Sequence, residues 1–123
     1  MKIYIIGNNK KNNSSLSSKL SEIYNINKFN TSDLSLEEIN KIIRENKEWI
    51  LESEYNDNSN VIASVATTVV YLNINKTAFS KKRVQDSIDI KELIRKYPSK
   101  VLIIKSNKEI SKFIAAIYKG IEL

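Results

Sequence analysis

The chain has 123 residues, with 20 Lys and Arg against 14 Asp and Glu and a formal charge of +6. The lysines are scattered rather than massed, so the basic excess points only modestly to an anionic partner. The absence of cysteine and histidine excludes disulfides, thiolate metal sites and the commonest general base.

The length suits one domain spanning 1–123, with chain enough for one core. No stretch is apolar for long enough to span a bilayer, and the first apolar run is too short for a signal peptide. The expectation is a cytoplasmic protein with no membrane partner. The heavy use of Asn, Lys and Ile is associated with AT-rich bacterial or phage genomes.

Ile3 to Ile6 is a β-branched and aromatic run, suited to a strand buried on both faces, near residues 2–6. Gly7 ends it at a sharp turn. Ser14 or Ser15 then caps a helix that carries Leu16, Leu20, Ile23 and Tyr24 on one face. A short second strand falls near 27–30. Ser35 and Glu38 form a capping box, opening a helix that buries Leu36, Ile39, Ile42 and Ile43. Trp49 belongs to the core, in a third strand near 48–52. Residues 56–60 read as a polar turn, and Val61 to Ala66 as a short helix. The fourth strand lies near 67–73. Lys76 to about Gln85 reads as a helix bearing Lys81, Lys82 and Arg83. Asp89 and Glu92 box the start of another, which Pro98 stops. The fifth strand lies near 100–105. Ser106 and Glu109 cap a last helix, with Ile110, Phe113, Ile114 and Ile117 in register. Strands alternating with helices predict an α/β fold, a parallel sheet covered on both faces.

The first strand, its glycine-led loop and its helix have the layout of the phosphate-binding unit G-x-x-x-x-G-K-[ST]. The register runs Gly7, then Asn8, Asn9, Lys10 and Lys11, then Asn12, Asn13 and Ser14, with Ser15 following. Gly7 and Ser14 stand where the pattern requires. Asn12 takes the second glycine position and Asn13 the lysine position.

Several blocks add to this layout: KIYIIGNNKKNNSSLSSKLSEIYNI, FNTSDL, EWILESEY, TTVVYLNI and YPSKVLIIKSNKEISKFI. In order and over nearly the whole chain, they resemble the adenylate kinase-related P-loop kinases known as topology modulation proteins. The resemblance implies a three-layer P-loop fold with five parallel strands in the order 2-3-1-4-5. It also implies a lysine at Asn13 that would reach the β- and γ-phosphates, magnesium at Ser14, an acid at Glu52 and an aspartate near Ser32. A long arginine-rich lid would follow the fourth strand, where this chain has only Arg83 and Arg95 between Leu72 and Pro98.

Asn13 cannot supply the point charge that phosphoryl transfer uses. The sequence therefore points to a catalytically impaired, pseudokinase-like binding or regulatory protein. Its expected partner is an unidentified protein, it needs no cofactor, and any Mg-nucleotide or anion affinity is weak. The alternatives are an active nucleotide or nucleoside kinase with an unusual loop and, resting on net charge alone, a nucleic-acid binder. Each candidate residue has a plain counterpart. Lys10 and Lys11 either replace the missing lysine or are solvated. Ser14 and Ser15 bind an anion or cap a helix. Glu52 holds a metal-bound water or ends a strand. Arg83 senses phosphate or lies on a solvated helix face.

Overall fold

The computed structural model describes residues 1–74 and 90–123. Five strands form one parallel sheet: β1 (Lys2–Gly7), β2 (Lys28–Asn30), β3 (Trp49–Ser53), β4 (Thr68–Leu72) and β5 (Val101–Ile104). Their order is β2-β3-β1-β4-β5, as the resemblance implied. Three helices separate the first four strands: α1 (Lys10–Tyr24), α2 (Leu36–Glu45) and α3 (Ser59–Val65). Residues 90–96 are helical (α4), and α5 (Asn107–Tyr118) follows the last strand. The helix expected over Lys76 to Gln85, with Arg83, lies outside the described residues.

β1 is the central strand because both its faces are apolar. Tyr4 and Ile6 point to one side with Trp49, Leu51, Val69 and Tyr71, where α2, α3 and α4 contribute Ile39, Ile62 and Leu93. Ile3 and Ile5 point to the other with Ile50, Val70 and Leu72, where α1 and α5 contribute Leu16, Leu20, Phe113 and Ile117. Burying each large apolar side chain contributes about 1.5–3 kcal/mol. Trp49 is fully buried, as expected, with its indole N–H unpartnered.

Beyond the start of α1, the helices depart from the sequence reading at three places. Leu36 is exposed, because it is the first residue of α2, and Ile39 is that helix's buried residue. The α2 capping box is present in full. α3 begins at Ser59, inside the expected polar turn, because the Ser59 hydroxyl is buried against Tyr4 and accepts from the Asn56 N–H. At α5, Ser106 caps as predicted, but the Glu109 carboxylate turns to the Lys105 N–H rather than back to Ser106.

Lys100 was not singled out by the sequence. Its ammonium donates to the carbonyls of Ala63, Ser64 and Ala66 at 2.8–3.1 Å, closing the C-terminal end of α3. The ammonium also lies 4.8 Å from the centre of the Tyr97 ring.

Candidate functional site

The candidate site is the junction of β1 and α1, at the C-terminal ends of β1, β3 and β4. Open α/β sheets place ligands at this end. Gly7 closes β1, and only Asn8 and Asn9 stand between it and Lys10, the first residue of α1. The cap expected at Ser14 or Ser15 is therefore displaced by more than a turn. Asn9 takes that role, with an extended backbone and a side-chain oxygen accepting from the Asn12 N–H at 3.1 Å. Its carbonyl accepts from the Asn13 N–H at 3.0 Å. Asparagine is among the strongest N-caps. Starting the helix here puts Asn13, Leu16, Ser17 and Leu20 on one buried stripe.

The shift has a chemical consequence. A phosphate loop turns successive backbone N–H groups toward the anion. Here the N–H groups of Asn12 and Asn13 are bound within the helix terminus, and Ser14 and Ser15 lie exposed in its second turn. Lys10 and Lys11 are exposed in the first turn, which contains no acidic residue.

Asn13 is 2% exposed. Its amide nitrogen lies 2.9 Å from the Gly7 carbonyl and 3.4 Å from that of Ser53, and these two acceptors fix the amide's orientation. Its oxygen has no hydrogen-bond partner. That oxygen would lie 2.7 Å from a Cβ on Gly7, and the Leu72 carbonyl would lie 2.9 Å from it. Gly7 is thus required for close packing. The sequence assigned it a sharp turn, yet the positive-φ glycine of the described residues is Gly120. The Asn13 side chain, expected at the lysine position, points down into the sheet and joins the helix to β1 and β3.

Glu52 is 4% exposed, and its carboxylate accepts from the Ser17 hydroxyl at 2.6 Å. It lies on the α1 face of the sheet, beside Ile5 of β1 and Asn30 of β2. Among the described residues no three His, Cys, Asp or Glu side chains gather in a metal-like cluster. Ser32 donates its N–H to the Asn30 side chain at 3.0 Å. Arg83, the candidate phosphate sensor, falls outside the described residues.

On the opposite face, the Tyr4 hydroxyl contacts those of Ser53 at 2.6 Å and Ser59 at 2.9 Å. Burial pushes the Tyr4 phenol above its ordinary value, opposed by these two hydrogen bonds. This hydroxyl cluster was missed in the sequence. Its members are far apart along the chain, and serine in a β3 strand end carries no periodic signal. Beside the junction, a cleft of about 430 Å³ separates α1 from α5, lined by Asn12, Ser15, Lys19, Asn107 and Ile110 among others.

No protein-family model matches the chain, and no curated protein matches it. Solved structures do. Shikimate kinase from Bacteroides thetaiotaomicron superposes with a TM-score of 0.55 at 10% identity, covering 100% of this chain and 99% of that one. A de novo designed protein of the P-loop NTPase fold superposes with a TM-score of 0.58 at 17% identity, covering 97% of this chain and 91% of that one. The fold is P-loop kinase-like. Among the described residues no helix is long and apolar enough to cross a membrane.

Proposed function

We propose that the chain is a binding or regulatory protein that keeps the P-loop kinase fold and does not transfer phosphoryl groups. Within that fold we place it nearest the topology modulation proteins, on the sequence blocks quoted above, and in a bacterial or phage cytoplasm. The observation that carries the reading is the start of α1 at Lys10, with Asn13 turned inward onto the Gly7 carbonyl. A phosphate cradle and a lysine charge would occupy the same positions.

The missing charge matters in two ways. A charge-assisted hydrogen bond contributes about 1.5–3 kcal/mol, or roughly one to two decades of affinity. In phosphoryl transfer that charge also stabilises the transition state, so turnover suffers more than binding. Any anion affinity left at the junction resides in Lys10, Lys11 and the helix start, is weak, and needs no metal at Ser14. The partner in this reading is a protein. Turnover tests it: purified protein with Mg-ATP or Mg-GTP, screened against nucleosides, nucleoside monophosphates and water, is expected to release no ADP or GDP above background. Saturable phosphorylation of any acceptor would establish the active-kinase alternative.

A further inference from the structure

The two edges of the sheet differ in charge. Residues 25–58, which carry β2, α2 and β3, hold eight Asp and Glu against four Lys and Arg. Residues 90–123, which carry α4, β5 and α5, hold eight Lys and Arg against three acids. The basic end is also the end where an apolar strand is open. β5 reads Val101–Ile104, with no charge, proline or bulge inside it, and among the described residues it pairs with β4 alone. Leu102 on the α5 face and Ile103 on the α4 face are each 40% exposed. Natural edge strands are ordinarily blunted by one of those devices.

The ladder to β4 runs from the Val69 N–H to the Lys100 carbonyl and from the Asn73 N–H to the Ile104 carbonyl. In a parallel ladder this alternation turns the N–H and C=O groups of Val101 and Ile103 outward. Lys105 stands at the end of this strip, with Lys91 and Lys112 beside it, while the Lys100 ammonium at its start is held by the α3 carbonyls. The Lys105 N–H is taken by Glu109, which limits the open length to the four strand residues. On the α5 side a depression of about 270 Å³ runs beside Leu102, bounded by Phe113 and Lys112.

We propose that the β5 edge is a docking site for an extended peptide of acidic character, added to the sheet as a sixth strand. Outward main-chain groups supply its hydrogen bonds, Leu102 and Ile103 meet alternate apolar side chains, and the surrounding lysines select acidic flanks. A second copy pairing edge to edge would bring two basic ends together. A nucleic acid would want exposed rings for stacking, and Phe113, the ring beside Leu102, is buried. The inference deepens the binding role proposed above by naming the partner's chemistry. Its test reads β5 and not the β1–α1 junction, so either reading can fail alone.

The test is an amide-resolved NMR titration of the full chain with a capped probe peptide, EDVTITVDE, against the control KKVTITVKK. The acidic probe is expected to bind at least ~10-fold tighter, a difference of about 1.4 kcal/mol. Shifts should concentrate in residues 100–105 and in the facing turns of α5, and the affinity should weaken with salt. Ile103→Glu, at an exposed position, should lower acidic-probe affinity by a similar factor without changing the far-ultraviolet circular dichroism spectrum. Equal binding of the two probes, absence of shifts at millimolar peptide, or an unaffected Ile103→Glu variant would each overturn the proposal. So would self-association, or oligonucleotide binding, through these same residues.

Discussion

Asn13 is where the chemistry of this junction is decided. A short neutral amide can be buried against two carbonyls, whereas a lysine at the same point would carry its charge to a 2%-exposed site or force the helix start apart. Asn13→Asp replaces the donor by an acceptor facing the Gly7 carbonyl. At pH 7 it should destabilise the fold by about 1–3 kcal/mol. The deficit should shrink as pH falls, since the protonated carboxyl regains a donor and its folded-state pKa is raised by those neighbours. Denaturant titrations at neutral and acidic pH compare the two proteins directly.

Tyr4 supplies a second pH test. Its phenol is held above the ordinary value by burial, so the folded state keeps its proton to higher pH than the unfolded chain does. The stability it contributes is complete below the unfolded pKa, about 10, and is lost as pH rises beyond it through the folded value. Tyr4→Phe should cost about 1–2 kcal/mol near neutrality by removing the hydroxyl that Ser53 and Ser59 share, Ser59 keeping its bond from the Asn56 N–H. It should also flatten the alkaline decline relative to the native chain. Parallel curves above pH 10 would show that this phenol is not the source.

At the scale of elements, the start of α1 controls whether a loop exists at all. Asn9→Ala removes the side-chain acceptor for the Asn12 N–H and should cost about 1 kcal/mol, whereas Asn9→Gly should cost only a few tenths. Thermal unfolding of the pair measures it. The strands were legible in the sequence, each within a residue or so of its observed bounds, because β-branched runs such as Thr68–Leu72 have few other uses. The helix start was not. Asn8, Asn9, Asn12 and Asn13 are all eligible caps, and the phosphate-loop register drew the start toward Ser14. The buried stripe of Asn13, Leu16, Ser17 and Leu20 was available as a signal, but two of its four members are polar and hid the period. Gly7 and Glu52 lie at the ends of β1 and β3. Their contacts to Asn13 and Ser17 depend on how α1 lies across the sheet, which no local pattern encodes.

Across the whole molecule, the strand order β2-β3-β1-β4-β5 and the superpositions on shikimate kinase and the designed P-loop protein describe one frame. The frame persists because its core is independent of the loop. Ile3, Tyr4, Ile5 and Ile6 are fully buried whatever follows Gly7. A sheet held together this way would tolerate the absence of a phosphate cradle at its end, and its basic β5 side is a separate surface. Calorimetric titration of the native protein with Mg-ATP tests most directly whether the cradle has been lost. No saturable heat is expected at sub-millimolar nucleotide. Saturable binding in that range, abolished by Ser14→Ala or by replacing Lys10 and Lys11, would contradict it and show the junction working as a nucleotide site.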